Sequence, residues 1–417
     1  MMRILCLILC LMLTLPAMAE TPAEPADFAG QLRFAVAETV TCEATVKTYV
    51  DGDTVHFHVP ESVHPSGVLK ARFLAINTPE ITGKVEEWGK KAAAFTREKL
   101  SSAQTILLQS DDGRWNLDST GERHLVWVWY IPAGETAYRC LNVEILQSGL
   151  ARANATASNR YGSVCSAALA WAREAKLHLY SGQKDPDFYY GDAIELTLRE
   201  LRCGVVEYAG KKVAFTGVVT LNAGQSVYVE APDPETGLYF GMPVYYGFGL
   251  SGMGLDILSV GNEVRIVGTL QYYEAGGTWQ VSGLSYRPMR PDDPGNIQRI
   301  SSGHSAAYAP VSAAEFAGSV LIDGQTRPFA EMALGTTVQV ADLTVTGGYA
   351  SADGAMTLTC TAEGATVAIR TEPMYDNGAL ITPDRYIGKT VTARGVVEFF
   401  DGGYQIRALI PGHLIIQ

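Results

Sequence analysis

The chain has 417 residues, 47% hydrophobic and 18% charged, with a formal net charge of -12 at pH 7. That length exceeds one compact core and suits two or three domains of about 100 to 150 residues, and the composition excludes a mostly disordered chain. The acidic balance speaks against a nucleic-acid partner, because phosphate binding draws on Lys and Arg, but acidic and basic residues roughly balance over 41–186 and the excess lies outside that segment.

Arg3 precedes an apolar run over 4–15, and Ala17-Met18-Ala19 has the small-residue spacing of a signal-peptidase site. A signal peptide is therefore expected at 1–19, with export to a periplasm or to the medium. No later apolar run is long enough to span a bilayer, so no transmembrane segment is expected. Residues 20–40, rich in Ala, Pro and Glu, read as a flexible tether. Outside the signal segment, Cys42, Cys140, Cys165, Cys203 and Cys360 are too scattered for a disulfide scaffold or a zinc site.

Folded structure is expected from 41. Val55, Phe57 and Val59 alternate with His56 and His58, which predicts a half-buried strand, and Asp51-Gly52 before it signals a hairpin turn. A second apolar run over 69–76 carries Lys70 and Arg72 and stops at Pro79. The two strands end near Asp51 and Asp53 on one side and Asn77 and Glu80 on the other. Carboxylates brought together in this way repel unless a cation lies between them, and oxygen donors suit a hard ion such as calcium. His56 and His58 lack a visible third ligand and read as a solvated face.

Trp88, Ala92 and Phe95 recur at helical spacing, as do Val143, Leu146 and Leu150, and Val164, Ala168, Trp171 and Ala175. Strands are expected at 105–109 and 125–130. The order suggests a small β-barrel closed by three helices.

Asp51-Gly52-Asp53-Thr54, Arg72, Thr78-Pro79-Glu80, the helix carrying Trp88-Gly89 and Phe95-Thr96, Gly121-Glu122-Arg123, Asn142 and Gly149-Leu150-Ala151 follow one another in an order and spacing that resembles the staphylococcal nuclease (thermonuclease) family. The domain so expected spans 41–187. The resemblance implies cleavage of DNA and RNA, both within strands and from ends, leaving 3'-phosphates. It implies that Asp53, Asn77 and the backbone carbonyl of Thr78 hold a calcium ion (Ca2+). Arg72 and Arg123 would grip the scissile phosphate, and Glu80 would orient or deprotonate the attacking water. Elementary chemistry gives the same roles: guanidinium forks and a divalent ion stabilise charge on five-coordinate phosphorus, and water attacks well only after losing its proton.

Two departures from the family pattern bear on function. Asn77 stands where the family's usual second calcium-ligand aspartate would be, which keeps the oxygen and removes its charge. Ala155, Ala157 and Gly121 fall near the positions of base-stacking tyrosines, so aromatic stacking is expected to be absent there. These departures favour the rival reading, a non-catalytic scaffold binding nucleic acid or protein through the same barrel. No obligate protein partner is inferred.

Beyond about 187 the sequence turns β-rich and glycine-rich. The segment 210–219 is echoed at 388–397 and again at 261–270, in a pattern similar to the strands of OB-fold barrels. The expected fold class is multidomain and mainly β: a small OB-type β-barrel with three helices, then two C-terminal OB-like β-barrels at 201–290 and 325–417, joined by a linker at 291–312. Tyr239, Phe240, Tyr245, Tyr246, Tyr272, Tyr273 and Trp279 either stack on nucleic-acid bases or fill the first of these two barrels.

Overall fold

The computed structural model describes residues 26–155 and 158–417. The expected signal peptide and Ala157 lie outside them. Among the described residues the five cysteines are free thiols, and no helix is long and apolar enough to cross a membrane.

The first barrel uses β1 (Thr41–Glu43), β2 (Thr45–Tyr49), β3 (Thr54–His58), β4 (Val68–Phe73), β6 (Thr105–Gln109) and β7 (His124–Ile131), while β5 (Ile76–Asn77) lies outside its sheet. β1 and β2 form one run broken at Ala44. The first piece pairs with β6 and the second with β3, so the order β1-β6-β7-β4-β3-β2 closes on itself. Alternation works as the sequence implies: Val55 and Phe57 are fully buried while His58 is exposed. β8 (Arg139–Cys140) extends β7, and β9 (Arg152–Ala153) pairs with β5.

A short helix α1 (Phe28–Gln31) precedes the barrel, and α2 (Gly89–Ser101), α3 (Leu141–Gln147) and α4 (Gly162–Glu174) cover it. α2 buries Ala92, Thr96 and Leu100, spaced one helical turn apart. Its leading backbone N–H, on Trp88, donates to the Asp185 carboxylate at 2.6 Å, so a residue far along the chain supplies the acceptor that Trp88 lacks.

The tether reading fails from Asp27 onward. Both Asp27 oxygens accept from Arg139 at 2.8 Å, Ala29 is fully buried, and Phe34 packs edge-on to Trp129 at 5.2 Å. A bidentate ion pair and buried rings fix a segment whose composition alone reads as flexible.

The second barrel follows β10 (Ile194–Glu195) and α5 (Leu198–Cys203). Its strands are β11 (Lys212–Ala223), β12 (Ser226–Pro232), β13 (Tyr239–Tyr245), β14 (Glu263–Tyr273) after α6 (Met253–Ile257), and β15 (Thr278–Ser282). They run in the order β11-β12-β13-β15-β14, with β14 returning to β11. Within 291–312, read as a linker, β16 (Gln298–Ser301) joins this sheet and β17 (Ala309–Pro310) joins the next. Then come α7 (Ala313–Ala317), the hairpin β18 (Ser319–Ile322) and β19 (Gln325–Pro328), and α8 (Phe329–Met332). Ile322 and Met332 from this insertion complete the core of the second barrel.

The third ring has β20 (Thr337–Ala350), β21 (Met356–Ala362), β22 (Ala365–Thr371), the small hairpin β23 (Tyr375–Asp376) and β24 (Ala379–Leu380), β25 (Thr390–Phe400), β26 (Gly403–Ala408) and β27 (Leu414–Ile416). Its order β20-β21-β22-β26-β25 closes through β20 and β25 and repeats that of the second barrel, including a parallel pair between its third and fifth strands. The sequence echo falls on β11, β14 and β25, strands that close the two rings.

The last two barrels meet where Gly241 faces Gly335. A Cβ on Gly241 would come within 2.5 Å of the Gly335 backbone, so only glycine permits the approach. Arg202, 3% exposed, donates to the carbonyls of Gly241 at 2.6 Å and Leu334 at 2.9 Å, tying one barrel to the other. Burial pulls its pKa down to about 10, which leaves it charged at neutral pH. Arg202→Ala is expected to cost about 2 to 3 kcal/mol in urea denaturation, because two buried carbonyls lose a charged donor; a wild-type midpoint would refute that role.

Candidate active site

The β2–β3 turn is held by backbone and side chain together. Val50 and Asp51 N–H groups donate to the Thr54 carbonyl at 3.1 and 3.2 Å, and the Asp53 N–H donates to Asp51 Oδ1 at 3.0 Å. Thr96 Oγ1 from α2 donates to the Gly52 carbonyl at 2.6 Å. A Cβ at Gly52 would lie 2.9 Å from the methyls of Ala92 and Thr78. The turn is therefore clamped onto α2, which holds Asp51 and Asp53 at 5% and 1% exposure.

Asp53 lies bonded to Thr78 and Arg72, and Arg72 links it to Asn77. Its Oδ2 accepts from the Thr78 N–H at 2.7 Å, and its Oδ1 accepts from Thr54 Oγ1 at 3.1 Å and pairs with Arg72 Nη1. Arg72 Nη2 donates to Asn77 Oδ1 at 2.5 Å. Arg72 thus spans Asp53 and Asn77, the two side chains expected to hold calcium.

Arg123 reaches the same region through topology. β4 and β7 pair in parallel, with Ala71 opposite His124 and Arg72 opposite Leu125, so the residue entering β7 arrives beside Arg72. Asp118 holds Arg123 through Nε at 2.7 Å and Nη2 at 2.6 Å. Both guanidinium groups line one cleft of about 350 Å3, whose other walls include Asp118, Asn154, Ala155 and Asn159. Ala155 thus falls on the cleft wall.

Glu80 follows Pro79 in a loop closed by the Glu86 N–H donating to the Glu80 carbonyl at 2.9 Å. Burial, then the charge of Asp51, pushes its carboxyl up to about 7, with Arg72 and Arg123 opposing. Asp51 is also raised, by burial, against the pull of Arg72. Burial lowers Arg72 from its ordinary value, offset in part by Asp51 and Glu80. Asp51, Arg72, Glu80 and Arg123 therefore act within one electrostatic neighbourhood.

Asp51 shapes the turn, as the Asp51-Gly52 pair implies, and its charge also acts on Glu80. Asp118 escaped the sequence reading, although Asp118-x-Thr120-Gly121 carries a signal: Asp118 Oδ1 accepts from the Thr120 N–H and Oγ1 at 3.1 and 2.5 Å, the self-closing loop expected of Asp before Thr-Gly. Asn142 is also buried, bonding the Val128 N–H and the Leu74 and Val126 carbonyls at 2.9 to 3.1 Å. It pins α3 to β7 behind the site. His56 is half-buried and His58 exposed.

With this geometry in place, comparison with known proteins is specific. Residues 70–182 match the staphylococcal nuclease homologue family. No curated protein matches the chain. The matched span holds Arg72, Asn77, Thr78, Glu80, Asp118 and Arg123 and begins after the Asp51–Asp53 turn. A nuclease-homologue domain suggests a phosphodiesterase of the nuclease type.

Among the described residues no three carboxylate, imidazole or thiol groups converge to cage a metal. A cation in the nuclease-homologue domain would depend on mixed oxygens: the Asp53 carboxylate, the Asn77 amide and the Thr78 carbonyl. Oxygen donors of this kind suit a hard ion, and in the structure Arg72 engages both Asp53 Oδ1 and Asn77 Oδ1. Burial raises the carboxyls of Asp51 and Glu80, with the charge of Asp51 adding to the shift at Glu80, and a divalent ion beside them would favour their ionised forms.

The sign of the pH effect follows. A carboxyl whose folded pKa lies above its unfolded value stabilises the fold at low pH, and that stability is lost as pH rises toward about 7. Calcium is expected to raise the melting temperature more at about pH 8 than at about pH 5. Equal shifts at both pH values in differential scanning fluorimetry would contradict this placement of the charges.

Proposed function

We propose that this protein is an exported, calcium-dependent nuclease that hydrolyses phosphodiester bonds of DNA or RNA. The observation that carries the reading is the shared cleft of Arg72 and Arg123, with Glu80 held near neutral pKa in their field. Export rests on the 1–19 segment of the sequence. The two C-terminal rings are read as OB-like modules that aid binding of substrate or partner.

Each guanidinium is anchored while keeping donors to spare. A guanidinium has five N–H groups; Arg72 commits Nη1 and Nη2 to Asp53 and Asn77, and Arg123 commits Nε and Nη2 to Asp118. The remaining donors are available to phosphate oxygens in the cleft, where charge grows as phosphorus becomes five-coordinate. Anchoring fixes the forks before substrate arrives, so little reorganisation is needed. Glu80, near half ionised at neutral pH, is suited to accept the proton of the attacking water. Asp53, Asn77 and the Thr78 carbonyl would hold calcium, which when bound supplies positive charge at the phosphate and acidifies coordinated water.

The rival scaffold reading draws on Asn77 in place of an aspartate, on Ala155, Ala157 and Gly121 in place of tyrosines, and on the engagement of Arg72 by Asp53 and Asn77. One experiment separates the two: degradation of plasmid and of single-stranded DNA by the full mature chain, with and without calcium. Arg72→Ala, Glu80→Gln and Arg123→Ala are each expected to lower kcat roughly 10²- to 10³-fold without lowering the melting temperature of the C-terminal barrels. Wild-type binding of DNA with no cleavage in calcium would favour the scaffold, and unchanged hydrolysis in all three variants would remove these residues from the chemistry.

A further inference from the structure

The aromatic residues of the second barrel do not share one fate. Phe240 is fully buried in the barrel core, whereas Tyr272 and Tyr273, at the end of β14, are 50% and 41% exposed. Their position is set by a cross-domain clasp. Glu274, the next residue, pairs with Arg97 of α2 at 2.5 Å, and Arg97 in turn lies over the Tyr49 ring at 4.4 Å. Tyr272 is braced from its own barrel by Trp279, edge-on at 5.3 Å. The clasp brings the two tyrosines to a cavity of about 180 Å3 whose opposite wall is Asp51, Ile81 and Thr82. Those wall residues belong to the active-site turn and to the segment that directly follows Glu80.

We propose that Tyr272 and Tyr273 form a base-stacking platform for single-stranded nucleic acid passing through the active site, an inference that rests on the nuclease reading above. The cleft of Arg72 and Arg123 has Ala155 on its wall, and its one aromatic lining residue, Phe73, is buried in the barrel core at 1% exposure. Ile81 and Thr82 directly follow Glu80, so a strand leaving the arginines along them would meet rings that come from the neighbouring barrel. Charge argues for a base as the occupant rather than a phosphate. Asp51 is anionic or protonated and never cationic, Arg97 is neutralised by Glu274, and burial holds the pKa of His56 down. An uncharged planar base against tyrosine faces suits such a wall, and stacking needs the bases unpaired, which selects single strands over duplex.

The test uses the full mature chain with Tyr272 and Tyr273 changed together, to Ala or to Phe, on a thymidine oligonucleotide of about ten residues and on an abasic oligonucleotide of the same length. The Ala pair is expected to raise KM for the thymidine strand about tenfold, to leave kcat unchanged, and to leave the abasic strand unaffected, since stacking is worth of order tenfold per base. The Phe pair, which keeps both rings, is expected to behave as wild type. An unchanged KM in the Ala pair, an equal loss on both strands, or a Phe pair as weak as the Ala pair would overturn the platform. Should wild type cleave neither strand, the nuclease reading fails. Fluorescence anisotropy of the labelled thymidine strand then decides the platform alone, with about tenfold weaker binding by the Ala pair supporting it and equal binding refuting it.

Discussion

Parallel pairing of β4 with β7 is the constraint on which the site depends. Strands that are distant in sequence must lie side by side for the ring to close, and their register sets Arg72 against Leu125. Because Arg123 enters β7 two residues before that point, the same backbone hydrogen bonds that complete the barrel deliver both arginines to one cleft. Shifting the register by one residue would turn Arg72 into the core and leave the cleft without its cations. Stability and site are thus two readings of one ladder.

Two acids, Asp51 buried and Glu80 half-buried, lie beside this ladder, and backbone order keeps them there. Gly52 allows the turn to lie against Ala92 and Thr78, Thr96 fastens it, and Asp51 is carried into the field of Glu80. The cost appears as two raised carboxyls. The arginines answer part of it, each tied to its own acid or amide partner. An arrangement in which cations are pre-aimed and an acid is kept near neutral pKa is suited to a reaction that creates charge on phosphate and needs a proton removed.

Much of this was legible in the chain. Alternation at Val55 and Phe57 and the helical spacing of Trp88, Ala92 and Phe95 gave the strands and the helix, and of the expected site residues Arg72 and Arg123 line the one cleft. What escaped depends on partners far along the chain. Asp27–Arg139 anchors a segment that composition marks as a tether, Asp185 caps a helix nearly a hundred residues away, and Ile322 and Met332 complete a core from an insertion between barrels. The turn role of Asp51 shows in the sequence, whereas its effect on Glu80 is through space. The aromatic set was ambiguous for the same reason: alternation in a strand does not say which neighbour covers the outward face, and the Arg97–Glu274 pair that places Tyr273 joins two domains.

The repeated ring order in the two C-terminal barrels, with their glycine contact and the buried Arg202, makes them a base against which the nuclease-homologue domain packs. The account as a whole turns on both guanidiniums meeting one phosphate. The measurement that tests this most directly is a crystal structure of the mature chain grown with calcium and a phosphorothioate dinucleotide that resists hydrolysis. The account predicts non-bridging phosphate oxygens within hydrogen-bond distance of Arg72 and Arg123 together, with the Glu80 carboxylate on the side open to water. A phosphate bound away from either arginine, with Glu80 turned from it, would contradict it.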